Sequence, residues 1–354
     1  MSKIVIKVGS NLLVKKNGEI NKSYIIELAR IISNLKAAGN TVILITSGAK
    51  AAGYGRAQKA NVEEALYIKQ ALCAIGQVQL MKLYETAFDM YDEKVAQILI
   101  NRNDFGDRSR FLNLRNTVAG LIEMGFIPIA NENDTVSTEE ITFGDNDLLA
   151  AMTAVGWKAD YLTLMSSVSG ILDENGEIIE VFNSDSKIKK MNSTSWGTGG
   201  IETKINAGIT AATTGIKVCI CDGRKLDNIN QFLSGKNVGT TFESGKIPTS
   251  KKAWIGFLSN PNGCIIINEG ACRAIMEKKS LLPVGIVEVK GRFESGDVID
   301  VKNNTGTLIG RGMVNFNSTD TEKITGHQSE ELKNILGFEC PKVYIHADNF
   351  WVYE

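Results

Sequence analysis

Short apolar runs alternate with longer stretches of helical period over about the first 240 residues, an order that favours a largely parallel sheet flanked by helices. KIVIKVG, Lys3 to Gly9, reads as a strand. Behind it, Ile25, Leu28, Ile31, Ile32 and Leu35 recur at helical spacing, and Gly39-Asn40 supply a stop. TVILITSGA is the next strand, running into a Ser-Gly turn. The stretch VEEALYIKQALCAIGQVQLMKLYETAFDMY is helical, with a break expected near Gly76. VAQILI and FIPIAN are strands on either side of the helical RSRFLNLRNTVAGLIEMG. A polar excursion, ENDTVSTEEITFGDND, leads to a helix from Leu148, and DYLTLM and KVCICDG complete the strands. The expected class is α/β, an αβα sandwich around a mainly parallel sheet.

Beyond Asn228 the pattern changes. Lys, Ser and Gly dominate SGKNVGTTFESGKIPTSKK, which suggests a linker. Short β-type runs follow, among them GCIIINEG, PVGIVEVKGRF, GDVIDVKNN and TLIGRGMVNF, with one helix expected at ACRAIMEKK. A chain of 354 residues suits two domains. The expected boundaries are a catalytic domain over 1–243, a linker over 244–258 and a small, mainly β domain over 259–354.

The inventory removes several functions. Net charge is −1, so there is no overall electrostatic reason to expect nucleic acid or an anionic membrane. The amino terminus enters a strand without a signal-peptide pattern, and no apolar run approaches the ~20 residues that span a bilayer. Six Cys without a C-x-x-C pair read as reduced thiols of a cytoplasmic protein. Cys219 and Cys221 alternate in KVCICDG and are expected on one strand face. The two His, His327 and His346, lie near the carboxyl end, which excludes a Ser-His-Asp triad or a His-based zinc site in the preceding domain.

Chemistry there must use other groups, and parallel sheets collect ligands at the carboxyl ends of their strands. Those ends hold Lys7 to Asn11, Ser47-Gly48-Ala49, Asn131 to Asp134, and Asp145-Asn146-Asp147. WGTGGIETK, Trp196 to Lys204, is rich in glycine and leads into a helix, yet Thr203 precedes its Lys and Ile205 follows it, unlike the best-known phosphate loop. Each piece has an ordinary explanation: a connection, a helix cap, a tight turn, a lysine reaching solvent. Together they describe a phosphoryl clamp. Lys7 and Lys204 would grip the transferring group from opposite sides, with Asp147 between them. Mg2+ would be carried by phosphate oxygens and water, with no protein metal ligand. A carboxylate acceptor fits, because it needs no general base.

The motifs IVIKVGSNLL, ILITSGAKAAG, KQALCAIGQ, NRNDFGDRSRFLNLRNT, IPIANENDTV, FGDND and GTGGIETK, in this order, resemble the glutamate 5-kinase family. Those enzymes have the amino-acid-kinase fold followed by a PUA domain, which SLLPVGIVEVKGRFESGDVI and IGRGMVNFNS resemble. The resemblance implies transfer from ATP to the γ-carboxylate of L-glutamate with Mg2+, opening proline biosynthesis. It implies Lys7, Lys204 and Asp147 as catalytic residues, and Ser47, Asp134 and Asn146 as glutamate ligands. It assigns the nucleotide to Lys7, Gly9, Ser166, Ser167, Thr198, Gly199, Gly200 and Lys204. Proline feedback, a homo-oligomer built through the kinase domain and channelling to glutamyl phosphate reductase are implied as well. One departure stands out: Ser166-Ser167 replaces the family's Thr-Asp, and Leu172 its Tyr.

Three alternatives follow. That departure suggests a nucleotide-binding sensor without catalysis, to be recognised by ATP binding without turnover. An RNA-binding PUA protein is the second, but residues 251–354 carry 12 Lys and Arg against 13 Asp and Glu, which argues against it. A different acceptor (acetylglutamate, aspartate, carbamate or a nucleoside monophosphate) is the third, and the NENDTV and FGDND spacing favours glutamate.

Overall fold

The computed structural model describes residues 1–15, 19–57, 65–136, 145–183, 186, 200–245 and 247–353. They divide into two compact units, Met1–Asp104 with Ser109–Ile247, and Phe105–Arg108 with Pro248–Glu354.

The first unit runs β1 (Lys3–Val8), α1 (Ser10–Leu13), α2 (Lys22–Ala37), β2 (Thr41–Ile45), α3 (Ala49–Ala57), α4 (Leu66–Asp89), β3 (Val95–Ile100), α5 (Arg102–Gly106), α6 (Arg108–Glu123), β4 (Ile127–Glu132), α7 (Asp145–Trp157), β5 (Tyr161–Ser166), β6 (Val181–Phe182), α8 (Ile201–Ala212), β7 (Lys217–Asp222), α9 (Asn228–Leu233) and β8 (Gly239–Phe242). The last two residues of α5 and the first of α6 group with the second unit. The strands form one sheet in the order β3-β4-β2-β1-β5-β7-β8-β6. Every pairing is parallel except β7 with β8. β1 lies between β2 and β5, and Ile4, Val5, Ile6 and Val8 are all buried, as a strand covered on both faces requires. Ile25, Leu28, Ile31 and Ile32 of α2 join the core, as their spacing predicts, and so do Cys219 and Cys221 of β7.

No break occurs at Gly76: α4 continues from Leu66 to Asp89. Gly76 serves close packing instead. A Cβ there would lie 1.7 Å from the Ala49 carbonyl oxygen, and one at Gly53 would lie 2.0 Å from that of Leu72. The two glycines let α3 and α4 approach backbone to backbone, which a break-seeking reading of glycine overlooks. The helix expected from Leu148 begins earlier, at Asp145.

In the second unit come α10 (Ser250–Ala253), β9 (Gly263–Ile267), α11 (Glu269–Met276), β10 (Ile286–Gly291), β11 (Val298–Asn303), β12 (Leu308–Met313), α12 (Ser318–Ile324), α13 (Leu332–Leu336) and β13 (Phe350–Val352). A five-stranded sheet runs β10-β9-β11-β12-β13. One helix was expected, at α11; α12 is short and polar and is started by the Asn317 side chain accepting from the Asp320 amide, while α13 is short and packs Leu332, Ile335 and Leu336 into the core. The residues read as linker hold α10 and a π-helical turn, Trp254–Leu258. Trp254, Ile255 and Leu258 are buried there, and the Trp254 indole donates to the Phe105 carbonyl at 2.9 Å. The Lys- and Ser-rich approach to this turn masked its apolar run.

Candidate active site

Lys7, the penultimate residue of β1, pairs with Ile45 of β2 and Leu164 of β5, so its side chain leaves from the carboxyl end of the central strands. Asp147 lies in the first turn of α7 and Lys204 in the first turn of α8. Lys7 Nζ lies 2.5 Å from Asp147 Oδ1, and Lys204 Nζ lies 3.0 Å from Oδ2. One carboxylate therefore bridges two ammonium groups. Asp147 is 0% exposed and both lysines are buried.

Two positive charges against one negative leave an excess of positive charge where solvent is scarce. Burial pulls the Lys7 ammonium below its ordinary 10.5, Lys204 adds to that pull, and Asp147 opposes it. Burial alone would push Asp147 upward, but Lys7 and Lys204 outweigh it and hold the carboxyl below its ordinary 3.8. Asp147 is thus an anion with both oxygens engaged, an organiser and not a base.

A polar network starts beyond β2. Gly48 has φ +92°, in the left-handed region, and so turns the chain from Ser47 into α3. Asn146 Nδ2 donates to Ser47 Oγ at 3.0 Å and to Asn131 Oδ1 at 3.2 Å. Asn131 Nδ2 donates in turn to Gln77 Oε1 of α4 at 2.8 Å. Asp134 is half-buried in the turn after β4. Burial first, and then the Asp134 carboxylate beside it, push the Cys73 thiol well above its ordinary range.

Gly9 donates its N–H to the Met165 carbonyl at 3.2 Å, tying the end of β1 to β5. Ser166 closes β5 and is buried, with its carbonyl accepting from Gly223 at 2.7 Å, while Ser167 is exposed. Gly200 precedes the first turn of α8 in an extended conformation. Thr198 and Gly199 lie outside the described residues. The structure thus brings Lys7, Asp147 and Lys204 into contact, and joins Asn146 to Ser47. Among the described residues no cluster of three or more His, Cys, Asp or Glu could hold a metal ion, and no helix is long and apolar enough to cross a membrane.

The profile of the amino acid kinase family matches residues 2–222, and that of the PUA domain residues 263–336. Glutamate 5-kinase of Kosmotoga olearia is 56% identical over 355 residues, covering 99% of each chain. That of Thermotoga maritima is 53% identical, again over 99% of each chain. Glutamate 5-kinase of Caldanaerobacter subterraneus is 41% identical over 99% of this chain and 98% of its own. The chain belongs to the glutamate 5-kinase family. The glutamate 5-kinase matches run through both units.

Of the polar network, Asn131 was gathered among the strand-end residues without a role of its own, and Gln77 was not singled out. The signal was present. Leu72, Cys73, Gly76, Gln77, Leu80 and Tyr84 form the buried face of α4, and an amide among them calls for a buried partner.

Proposed function

We propose that the protein transfers the γ-phosphoryl group of ATP to the γ-carboxylate of L-glutamate, giving ADP and γ-glutamyl phosphate, the first step of proline biosynthesis. The observation that carries this reading is the Asp147 carboxylate bridging Lys7 and Lys204. A substrate carboxylate oxygen attacks the γ-phosphorus as the bond to ADP breaks. No proton has to move, in keeping with the scarcity of His. Charge that builds on the equatorial and leaving oxygens meets two lysines already held in place, which is the form of stabilisation that phosphoryl transfer needs.

Gly9, Ser166, Ser167, Thr198, Gly199 and Gly200 are the nucleotide positions of this reading. Both Asp147 oxygens are committed to lysines, so the site fits Mg2+ that arrives on the nucleotide. That ion would neutralise phosphate charge which the lysines leave uncompensated. Ser47, Asn146 and Asp134 would hold the amino and carboxylate groups of glutamate. For Asp134 the check is direct: Asp134→Ala should raise the glutamate KM by about tenfold or more, the scale of a hydrogen bond to a charged group, and an unchanged KM removes it from the substrate site.

The deciding assay is ATP consumption by the purified protein with and without L-glutamate, with acyl phosphate trapped as hydroxamate. Glutamate-dependent hydroxamate upholds the reading. ATP binding without product from glutamate or the related acceptors would leave a nucleotide-binding sensor. We assign the protein to the cytoplasm, which its six free cysteines suit; secretion of the tagged chain would refute this. A homo-oligomer is supported by the exposed Tyr67 and Val78 on α4 and by the position of β3 at the sheet edge, and a monomeric mass by light scattering would remove it. Inhibition by proline and direct transfer of product to glutamyl phosphate reductase belong to the same reading. Rates insensitive to proline would refute the first, and full interception of the intermediate by a trap would refute the second.

A further inference from the structure

Gln77 is the one amide on the buried face of α4. Its Oε1 accepts from Asn131 Nδ2, and Asn131 Oδ1 accepts from Asn146 Nδ2. That same Asn146 nitrogen also donates to Ser47 Oγ. Both protons of the Asn146 NH2 group are therefore engaged. Asn146 Oδ1 is buried and has no hydrogen-bond partner among the described residues. A buried acceptor left open costs free energy unless a donor arrives to meet it.

Three primary amides in a row can run in either of two directions, since an amide turned by 180° keeps its shape. In the observed direction every NH2 group points away from the open end, and an oxygen is left there. In the reverse direction Gln77 Nε2 would donate to Asn131, Asn131 would donate to Asn146 Oδ1, and a nitrogen would be left at the open end. An ammonium group can bind the first arrangement and is repelled by the second. For the oxygen to stay outward, the last amide proton in the row, on Asn131 Nδ2, must find an acceptor. Gln77 Oε1 is that acceptor, and Gln77 Nε2, buried and without a hydrogen-bond partner among the described residues, is the donor left over at the inner end of the row.

We propose that Gln77 is a positioning residue for the substrate, the terminal acceptor of an amide relay that makes Asn146 present Oδ1 to the α-ammonium of the amino acid. This rests on the proposed reaction. The relay gives a role to an amide on the otherwise apolar buried face of α4, and to Gly76 beside it. The close approach of α4 to Ala49 that Gly76 permits fixes the height of Gln77 relative to Ser47. It predicts discrimination: an acceptor that lacks the α-ammonium leaves Asn146 Oδ1 buried and unmet.

The test compares wild type, Gln77→Glu and Gln77→Met as full chains. Glutamate KM, ATP KM and kcat are read from the hydroxamate assay, and glutamate binding from the shift in melting temperature. Losing one hydrogen bond in the relay should raise the glutamate KM of Gln77→Met by about tenfold, with ATP KM and kcat near wild type. Gln77→Glu keeps an acceptor at the same position, so its glutamate KM should stay within about threefold of wild type. A purely structural role predicts the opposite order, because Met fills an apolar site and Glu buries a carboxyl group. A Gln77→Met glutamate KM close to wild type, or equal rises in both variants, overturns the proposal. If Gln77→Met does not fold, Gln77→Glu decides alone, and a rise of about tenfold in its glutamate KM is the overturning result. Should wild type bind glutamate without turning it over, the reaction fails while the melting shifts still judge the relay. A wild type that does neither overturns both.

Discussion

At the carboxyl end of its sheet the first unit buries Lys7, Asp147 and Lys204, whereas in the second unit the only buried polar side chains among the described residues are Ser259 and Thr321. Both units have an aliphatic and aromatic core: Ile4, Leu28 and Tyr84 in one, Ile265, Val301 and Tyr344 in the other. The second unit keeps its ion pairs outside or at the margin, as with Lys279–Glu277 and the partly exposed Arg311–Asp300. A core that has only to be stable excludes charge, because desolvating an ion costs more than an exposed pair returns. The first unit accepts that cost most heavily where Lys7, Asp147 and Lys204 meet; Asp222, also buried in this unit, pairs with the exposed Arg224. In the proposed reaction, the excess positive charge of the Lys7, Asp147 and Lys204 cluster would be completed by the bound polyanion.

The sharpest way to break this contrast is Asp147→Ala. It leaves two buried ammonium groups without a counter-charge, so turnover should fall by about a thousandfold and stability by about 3–5 kcal/mol. Hydroxamate formation and denaturant unfolding measure the two, and a variant near wild type in both would refute the triad. Lys204→Ala follows in size. It should lower kcat by about 10²–10³ while changing the glutamate KM far less, since its contact strengthens in the transition state. A variant altered only in KM would place Lys204 in ground-state binding instead.

Proton linkage gives an intermediate effect. The Asp147 carboxyl is depressed, so the stability it contributes is present above its ordinary 3.8 and is lost as pH falls through its lower folded value. Lys7 is depressed too, and for a lysine the sign reverses: the unfolded chain binds the extra proton, so this group's contribution to stability rises as pH climbs toward 10.5. In the proposed reaction turnover needs Lys7 charged, so it should decline on the alkaline side at a pH below 10.5. A profile of kcat against pH, set beside melting temperatures over the same range, checks the opposed trends. The smallest effect is expected in the second unit. Lys279→Ala removes an exposed partner of Glu277 and should leave melting temperature and kcat unchanged within error, and a clear loss of activity would give that surface a role.

Much of this was legible along the chain. The alternation of β1, α2 and β2 was readable because apolar spacing differs between helix and strand. Lys7 and Lys204 were readable as candidates because Lys7 stands out at the end of an apolar strand and Lys204 follows a glycine-rich stretch of sequence. The helix α12 escaped because its sequence, STDTEKI, carries no apolar period and its start depends on the Asn317 side chain. Gly76 misled because the same residue that ends a helix also permits another to press against it.

From sequence alone came the two-part plan, the parallel sheet, the lysines and Asp147, and the resemblance that placed them in a family. Only the tertiary structure decided that a single carboxylate engages both lysines and that Gln77, Asn131, Asn146 and Ser47 form one chain of hydrogen bonds. The reason is physical. Periodicity records which way a side chain faces on its own element, whereas ion pairs and amide relays depend on distances between elements far apart in sequence, set by how their backbones pack.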